Sequence, residues 1–348
     1  MPKISTPTLS ILLPTYNRAA ILRLTLKHLL SEVKRLKGLV EIVIGNNAST
    51  DETDTVLMEL SGDYSRVARR ETNIGSWRNI VTLASEARGE WIWSLGDDDY
   101  LVPNAIDLIL HKLASSPAVD LMFVNHGWLS AHDILNALAQ NSAIAVPSGR
   151  QWLTSQDADL LRGTDVFDVP SPFAAGSFNA IFGFAARRDR FLEHALRVRP
   201  GHLIDPFGDG GFELEDAFPH SIVALEIGRQ GPAKVVSDVC VVQGVGAWES
   251  CSLLYRTVIV GLVWLFDRFD SSIPQSAWLS LASYAGPRIA RMIADPVANA
   301  GYEAVERVAI ERLARQEEFQ VAFLAEVACL GLESEGERVM TRWLAASR

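Results

Sequence analysis

Three consecutive carboxylates, Asp97, Asp98 and Asp99, follow an apolar run at residues 91–95 and a single glycine. This pattern predicts a buried strand whose carboxyl end carries concentrated negative charge. Adjacent carboxylates repel one another, so a folded protein needs a nearby cation to keep them charged. Magnesium and manganese prefer oxygen ligands, and substrate phosphates complete their coordination. The acids therefore predict a divalent-cation site, against the simpler alternative of a solvated turn before a helix that opens at Pro103.

The elements that must position these acids alternate between strand and helix through the first third of the chain. Strands are predicted at 9–13, 39–44, 67–70, 90–95 and 119–124, and helices at 20–37, 51–60, 76–87 and from Pro103. This alternation is typical of a mostly parallel sheet with helices on both faces. Such sheets bind ligands beyond the carboxyl ends of their strands. The polar loops at 15–18, 46–51 and 97–99 are therefore expected to meet in one crevice.

The remainder of the chain shows a different pattern. Residues 126–173 have little periodicity and are expected to form irregular loops over the site. Strands are predicted at 177–186 and 234–242, and from Ser250 onward apolar residues recur at helical spacing. We therefore expect three parts, with boundaries at 1–125, 126–249 and 250–348.

Composition limits the classes of partner. The 348 residues suffice for one large or two modest domains, and 48% hydrophobic with 21% charged residues is typical of a soluble globular protein. A net charge of −10 argues against nucleic acid as a partner, because phosphate binding uses clustered Lys and Arg. Three scattered cysteines and the absence of an apolar signal segment predict a cytoplasmic protein with reduced thiols. A peripheral contact at the inner face of the cell membrane is compatible with this sequence.

Four motifs in order make the chain resemble a family 2 glycosyltransferase with the glycosyltransferase-A fold. They are Ser-Ile-Leu-Leu-Pro-Thr-Tyr-Asn-Arg at 10–18, Glu-Ile-Val-Ile-Gly-Asn-Asn-Ala-Ser-Thr-Asp at 41–51, Asn-Ile-Gly at 73–75 with Asn79, and Gly-Glu-Trp-Ile-Trp-Ser-Leu-Gly-Asp-Asp-Asp at 89–99 followed by Pro103. The sequences of these motifs most resemble those of bacterial enzymes that assemble surface polysaccharides. The resemblance implies an α/β, Rossmann-like, mostly parallel sheet with helices on both faces and a C-terminal helical region. It makes 1–125 the nucleotide-sugar-binding half and 126–249 the acceptor-binding half.

The resemblance also implies a nucleotide site. The residues expected there are Pro14, Thr15, Tyr16, Asn17, Asn46, Asn47, Arg78, Asn79, Asp97 and Asp99. Tyr16 would stack on the base, while Asn17 is alternatively the N-cap of the next helix. The family usually has two aspartates where this chain has Asn46 and Asn47. An amide both donates and accepts hydrogen bonds, so the preferred base stays open.

By the same resemblance, Asp98 is the main ligand of a Mg²⁺ or Mn²⁺ ion that holds the diphosphate of a nucleotide-diphosphate sugar. Asp97 and Asp99 are expected to flank it as further ligands. Gly96 stands where the family usually has the first acid of its metal-binding triplet, which leaves the sharing of roles among the three acids open.

An inverting transferase also needs a base that takes the proton from the acceptor hydroxyl. The resemblance places it at Asp216, with Glu215 as the second candidate and His220 as a competing one. The alternative is structural: the acids cap a helix and His220 packs beside Pro219.

The function implied is a metal-dependent, inverting transfer of a sugar to a glycan or lipid-linked glycan acceptor in polysaccharide biosynthesis. One alternative is a sugar nucleotidyltransferase, although the glycine-rich loop with Arg and Lys that is usual in that class does not follow the first strand. Another is a non-catalytic nucleotide-sugar-binding scaffold, which the change to Asn46 and Asn47 keeps open. The C-terminal helices are candidates for homo-oligomer contacts.

Overall fold

Nine strands in the described part of the chain form one mixed sheet. The computed structural model describes residues 6–36, 38–140, 142, 146, 151, 156–169, 180–198, 218–245, 252–294 and 304–345. The strands are β1 (Leu9–Thr15), β2 (Val40–Asn46), β3 (Ser65–Arg69), β4 (Trp91–Ser94), β5 (Tyr100–Leu101), β6 (Leu121–Ser130), β7 (Ala158–Leu160), β8 (Phe184–Arg187) and β9 (Ala233–Val245). Their order is β3-β2-β1-β4-β8-β6-β9-β5, and β7 pairs with β9.

The pairing of the first strands confirms the predicted parallel sheet. β1 runs parallel to β2 and β4, and β2 runs parallel to β3. β8 lies antiparallel between β4 and β6, while β6 and β9 are parallel. The carboxyl ends of β1, β2 and β4 therefore lie side by side at one edge of the sheet.

Helices cover both faces, as predicted. They are α1 (Ala19–Lys34), α2 (Thr53–Leu60), α3 (Ser76–Glu86), α4 (Ala105–Ser115), α5 (Ala131–Gln140), α6 (Arg188–Ala195), α7 (Pro219–Gly228), α8 (Ser252–Arg268), α9 (Gln275–Ala294), α10 (Ala304–Ala314), α11 (Glu317–Cys329) and α12 (Glu333–Ala345). α1, α2 and α4 pack on the face that carries Ile11 and Trp93. α3, α6 and α7 pack on the opposite face, with Leu12 and Ile92. The alternation of neighbouring side chains along β1 and β4 thus builds two hydrophobic layers.

The helices from α8 to α12 extend the second of these layers. Phe266 on α8 is fully buried, and its ring lies 5.5 Å from that of Phe167 and 5.2 Å from that of Trp278. Phe167 belongs to a 3₁₀ turn at Gly163–Asp168. One hydrophobic cluster therefore runs from the sheet into the C-terminal helices. In the described parts of the chain, no helix combines the length and the apolar character needed to cross a lipid bilayer.

Three local predictions differ from the structure. α4 begins at Ala105 and not at Pro103, because Asn104 has a left-handed φ of 64° that cannot continue a helix. The segment after residue 126 is more regular than expected, since β6 continues to Ser130 and α5 follows it. The strand expected at 177–186 is seen as β8 from Phe184, with residues 177–179 outside the described ones.

Candidate functional site

The acidic loop, residues 96–99, joins β4 to the short strand β5. Tyr100 of β5 pairs with Val242 of β9, which fixes the end of the loop to the far side of the sheet. The His28 ring stacks on Tyr100 with centroids 4.3 Å apart, and His28 Nε2 lies 3.0 Å from the Leu101 carbonyl oxygen. The loop is therefore held at both ends by the sheet and by α1.

Asp97 points into the protein. Its Oδ2 accepts a hydrogen bond from Thr15 Oγ1 at 2.6 Å, and its backbone carbonyl accepts one from Thr25 Oγ1 at 2.7 Å. Arg18 Nε lies 3.4 Å from Asp97 Oδ1. The pKa of Asp97 is raised to about 6, mainly by burial; the hydrogen bond from Thr15 and the charge of Arg18 oppose the shift, and the charge of Asp98 adds to it. The side chain thus ties the β4 loop to β1.

Asp98 is turned toward solvent and toward Arg18. Arg18 Nη2 lies 2.6 Å from Asp98 Oδ2, and the two side chains are 36% and 33% exposed. Asp98 therefore keeps a carboxylate that a ligand can reach, and its present partner is a guanidinium from the loop after β1.

Asp99 folds back onto its own loop. Its Oδ2 accepts a hydrogen bond from the Gly96 N–H at 2.6 Å. A Cβ on Gly96 would lie 2.8 Å from that oxygen, so glycine permits this close approach. Burial, and next the charge of Asp98, raise the pKa of Asp99 well above its usual range. The glycine at the position of the family's first acid is thus explained by local packing.

The three carboxylates of the acidic loop differ in how well they fit the expected divalent cation. Among the described residues, no three His, Cys, Asp or Glu side chains are arranged to hold a metal ion. Asp97 and Asp99 are directed at Thr15 and Gly96, so the expected set of three carboxylate ligands is not assembled. Magnesium is usually held by one or two carboxylates plus substrate phosphates. Asp98 fits that role, with the remaining oxygens supplied by a nucleotide.

The loop after β2 is built around two buried amides. Asn47 Nδ2 donates to Asn73 Oδ1 at 2.7 Å, and Asn47 Oδ1 accepts from the Ile74 N–H at 3.0 Å. Asn46 Oδ1 accepts from the Ser49 N–H at 3.0 Å. Asn46 and Asn47 therefore hold the walls of the crevice together, and their polar atoms already have protein partners.

The loops after β1 and β2 are also joined directly. The Asn47 N–H donates to the Thr15 carbonyl at 3.0 Å, and Asn17 Oδ1 accepts from the Thr50 N–H at 2.7 Å. Asn17 is not the N-cap of α1; that position is Arg18. The left-handed φ of 54° at Asn17 lets its side chain reach the neighbouring loop instead.

The other residues predicted at the nucleotide divide into exposed and buried ones. Tyr16 is 40% exposed, and Pro14 before it is partly buried. Arg78 is exposed on α3. Asn79 is buried and donates to the Gly45 carbonyl at 2.8 Å, so it anchors α3 to the end of β2. Tyr16 is therefore an exposed aromatic side chain directly after β1.

The predicted proton acceptors lie at and before α7. His220, in the first turn of α7, lines a small cavity with Trp77, Ile92 and Ser94. Its ring meets that of Phe218 edge to face, with centroids 5.9 Å apart. This apolar setting supports the packing alternative for His220. Asp216 and Glu215 lie outside the described residues.

Arg18 is the residue at the site that the sequence did not assign. It ends the motif at 10–18, and no role followed from the motif alone. The available signal was its position: a cation in a loop that must face three acids across neighbouring strands. The partner Asp98 is 80 residues away in the chain, so the pairing appears only in the folded protein.

The chain is similar in sequence to known glycosyltransferases. The family model "Glycosyl transferase family 2" matches residues 10–181. Abequosyltransferase RfbV of Salmonella typhimurium is 29% identical over 116 residues, which is 32% of this chain and 34% of that protein. A Campylobacter jejuni protein, GalNAc(5)-diNAcBac-PP-undecaprenol beta-1,3-glucosyltransferase, is 29% identical over 109 residues, 30% of this chain and 34% of its own length. The matched segment thus spans about a third of these curated relatives.

Solved structures share the fold. S. aureus TarS 1-349 in complex with UDP has a TM-score of 0.52 at 12% identity, covering 98% of this chain and 92% of that one. The mannosyltransferase PcManGT from Pyrobaculum calidifontis, in complex with GDP-Man and Mn²⁺, has a TM-score of 0.50 at 17% identity, covering 97% and 89%. At these identities the likeness shows the fold. Residues 10–181 therefore match the family 2 glycosyltransferase model, and the fold resembles that of solved glycosyltransferases of the A type.

Proposed function

We propose that this protein transfers a sugar from a nucleotide-diphosphate sugar to a hydroxyl of a glycan or lipid-linked glycan in surface polysaccharide synthesis, with inversion at the anomeric carbon. The observation that carries the proposal is the direct bonding of three loops at the carboxyl ends of adjacent strands. Thr15 is joined to Asp97 at 2.6 Å, and the Thr15 carbonyl accepts from Asn47 at 3.0 Å. Ligands of open α/β sheets bind at such strand ends.

The described side chains support a division of labour at this crevice. Tyr16, the exposed residue directly after β1, stacks on the base. Asp98 holds Mg²⁺ or Mn²⁺ against the diphosphate, while Asp97 and Asp99 shape the loop through their own hydrogen bonds. When bound, the ion neutralises the negative charge that develops on the leaving diphosphate.

The base that completes the transfer is assigned to Asp216, with Glu215 second. His220 and Ser94 line the same cavity, which supports a position of the first turn of α7 beside the carboxyl end of β4. Asp216 precedes the first residue of α7 by three positions in the sequence. Asp216 accepts the proton of the acceptor hydroxyl as that oxygen attacks the anomeric carbon, and the nucleoside diphosphate leaves.

The names of two relatives bear on the class of acceptor. The C. jejuni relative is named for a glycan on undecaprenol diphosphate, and the S. typhimurium relative is named for abequosyl transfer. The C. jejuni name supports a lipid-linked glycan as the acceptor here.

The test is release of a nucleoside diphosphate from a panel of nucleotide sugars, with synthetic lipid-linked glycans as acceptors. We expect release that stops on chelation with EDTA and that falls about 100-fold or more in Asp98→Asn, because even outer partners of a metal site contribute about 10–100-fold. Asp63→Asn, an exposed acid away from the crevice, is the matched control and keeps full activity.

Other outcomes separate the alternatives. Full activity of Asp98→Asn would contradict the assignment of the ion to that carboxylate. Release of pyrophosphate in place of nucleoside diphosphate would indicate a nucleotidyltransferase. Tight nucleotide-sugar binding without turnover across the panel would indicate a scaffold protein.

A further inference from the structure

Arg18 places a positive charge directly on the acidic loop. Its Nη2 lies 2.6 Å from Asp98 Oδ2, and its Nε lies 3.4 Å from Asp97 Oδ1. Asp98 is the carboxylate that fits a divalent cation, so the guanidinium pairs with the oxygen that such an ion would use. Two cations cannot share that oxygen without repelling one another.

We propose that Arg18 is a built-in counter-cation that the divalent ion displaces. Without ligand, its guanidinium neutralises Asp98. When the ion binds Asp98, the guanidinium leaves the carboxylate and engages the diphosphate of the donor. This inference rests on the proposed function, which gives Asp98 its ion and the crevice its diphosphate.

The backbone around Arg18 is held by hydrogen bonds, while its side chain is partly exposed. The Arg18 N–H donates to Thr53 Oγ1 at 3.1 Å, and the next N–H, of Ala19, donates to Asp51 Oδ2 at 3.1 Å. The Arg18 side chain is 36% exposed. The exchange therefore requires only rotation about side-chain bonds, and the loop after β1 keeps its place.

The neighbouring acid stays in place during this exchange. Asp97 is held by Thr15 Oγ1 at 2.6 Å and through its carbonyl by Thr25 at 2.7 Å. Neither of these bonds involves Arg18. Loss of the guanidinium from Asp98 thus leaves the loop anchored to β1 and α1.

The strengths of the interactions favour exchange. A salt bridge between partly exposed side chains contributes little to stability. A divalent ion shared by a carboxylate and a diphosphate gains far more, and the planar guanidinium fork matches phosphate oxygens as well as it matches a carboxylate. Arg18 therefore loses a weak partner and gains a more highly charged one.

The first measurement uses Mn²⁺ alone, with no nucleotide, on metal-free full-length protein. Free Mn²⁺ is followed by electron paramagnetic resonance for wild type, Arg18→Gln, Arg18→Lys and the control Arg23→Gln. We expect Arg18→Gln to bind Mn²⁺ about fivefold more tightly, because the competing cation of a weak surface pair is gone. Arg18→Lys retains the charge and should stay near wild type. Arg23 pairs with Glu59 on the protein surface, and its variant should match wild type.

The second measurement uses UDP, GDP and CDP separately, at saturating Mn²⁺, by calorimetry. Arg18→Gln should bind whichever of these the wild type binds about tenfold more weakly, because one charged hydrogen-bonding partner of the diphosphate is lost. Opposite effects on Mn²⁺ alone and on the nucleotide are the signature of exchange. If Arg18 had only a structural role, Arg18→Gln would bind both Mn²⁺ and the nucleotide more weakly.

Equal or weaker Mn²⁺ binding by Arg18→Gln, including no binding by either protein, would overturn the proposal. Unchanged nucleotide affinity would overturn the transfer of Arg18 to the diphosphate. Sugar transfer is assayed separately on the wild type. A wild type that releases no nucleoside diphosphate contradicts the proposed function, while the comparison of Mn²⁺ affinities still decides the role of Arg18.

Discussion

Burial gives three identical side chains on the acidic loop three different properties. Asp97 is enclosed by Thr15 and the loop after β1, and burial raises its pKa to about 6. Asp99 turns onto the Gly96 N–H, and burial raises its pKa well above the usual range. Asp98 remains partly exposed and pairs with Arg18. Asp98 is therefore the acid of the three whose carboxyl group is turned neither into β1 nor onto its own loop.

The raised pKa of Asp97 makes a prediction about stability and pH. The ordinary value is 3.8 and the folded value is about 6, so the folded state binds the proton more tightly than the unfolded state. The stabilisation from this proton is complete below pH 3.8 and is lost as the pH rises through about 6. The side chain of Asp97→Asn does not titrate, so the variant does not lose this stabilisation. Between pH 4 and pH 7.5 we expect its free energy of unfolding to rise by about 1–3 kcal/mol relative to that of the wild type.

Urea unfolding of metal-free protein at a series of pH values measures this difference. Asp63→Asn, at an exposed loop position, is the control and should follow the wild-type curve. Parallel curves for wild type and Asp97→Asn would show that the Asp97 carboxyl titrates alike in the folded and unfolded states.

At the scale of elements, α7 is set against the sheet by two glycines. Gly228 ends α7 and Gly163 begins the 3₁₀ turn. A Cβ on Gly163 would lie 2.5 Å from the Gly228 Cα and 3.2 Å from a methyl group of Leu121. This contact fixes how closely α7 approaches β6, and α7 carries His220 and follows the predicted base.

Gly163→Ala should therefore disturb both stability and transfer. The added methyl must push backbone away from backbone, and we expect a loss of about 1–3 kcal/mol in unfolding free energy. A shift of α7 would also lower kcat for sugar transfer while nucleotide affinity stays near wild type. Chemical denaturation and steady-state kinetics measure the two effects.

The matched control is Gly231→Ala, three residues after the end of α7, where a Cβ meets open space. Its stability should stay within about 0.5 kcal/mol of wild type. If both variants behave alike, the close approach of Gly163 and Gly228 does not position α7.

At the scale of the whole molecule, the core is continuous across the predicted boundary at residue 250. The cluster that holds Leu12 and Ile92 of the sheet also holds Phe266, Trp278 and Phe323 of the C-terminal helices. These side chains share one buried layer. If the C-terminal helices unfolded, the face of the sheet that α3 covers would lose part of its packing. The C-terminal helices therefore stabilise the layer of helices that includes α7.

Phe266→Ala tests this coupling. Phe266 is fully buried between Phe167 and Trp278, and its truncation should cost about 3–5 kcal/mol. We expect far-UV circular dichroism and tryptophan fluorescence to report one urea transition that shifts as a whole. Leu324→Ala on α11, at a 38% exposed position, should change the midpoint little. Two separate transitions, with only one shifted, would show that the helices unfold independently.

Several features could be predicted because they depend on local order in the chain. Alternating strand and helix patterns gave the parallel sheet with helices on both faces, and the motif at 41–51 marked a polar loop at a strand end. The same rule placed Thr15, Asn47 and Asp97 at neighbouring strand ends, where hydrogen bonds join them. Hydrophobic periodicity and strand direction suffice for these inferences.

The tertiary structure alone decided how the acids are used. Asp97 is 7% exposed and Asp98 faces Arg18, although the two are adjacent in a uniform acidic run. Sequence spacing carries no information on which carboxylate is buried, because burial and ion pairing depend on loops that lie some 80 residues apart in the chain. Contacts between distant parts of the chain also decided three features of the fold. These are the left-handed turn at Asn104, the insertion of β8 between β4 and β6, and the shared core of the C-terminal helices. Motifs therefore placed the site at an edge of the sheet, and packing across that edge determined the environment of each side chain.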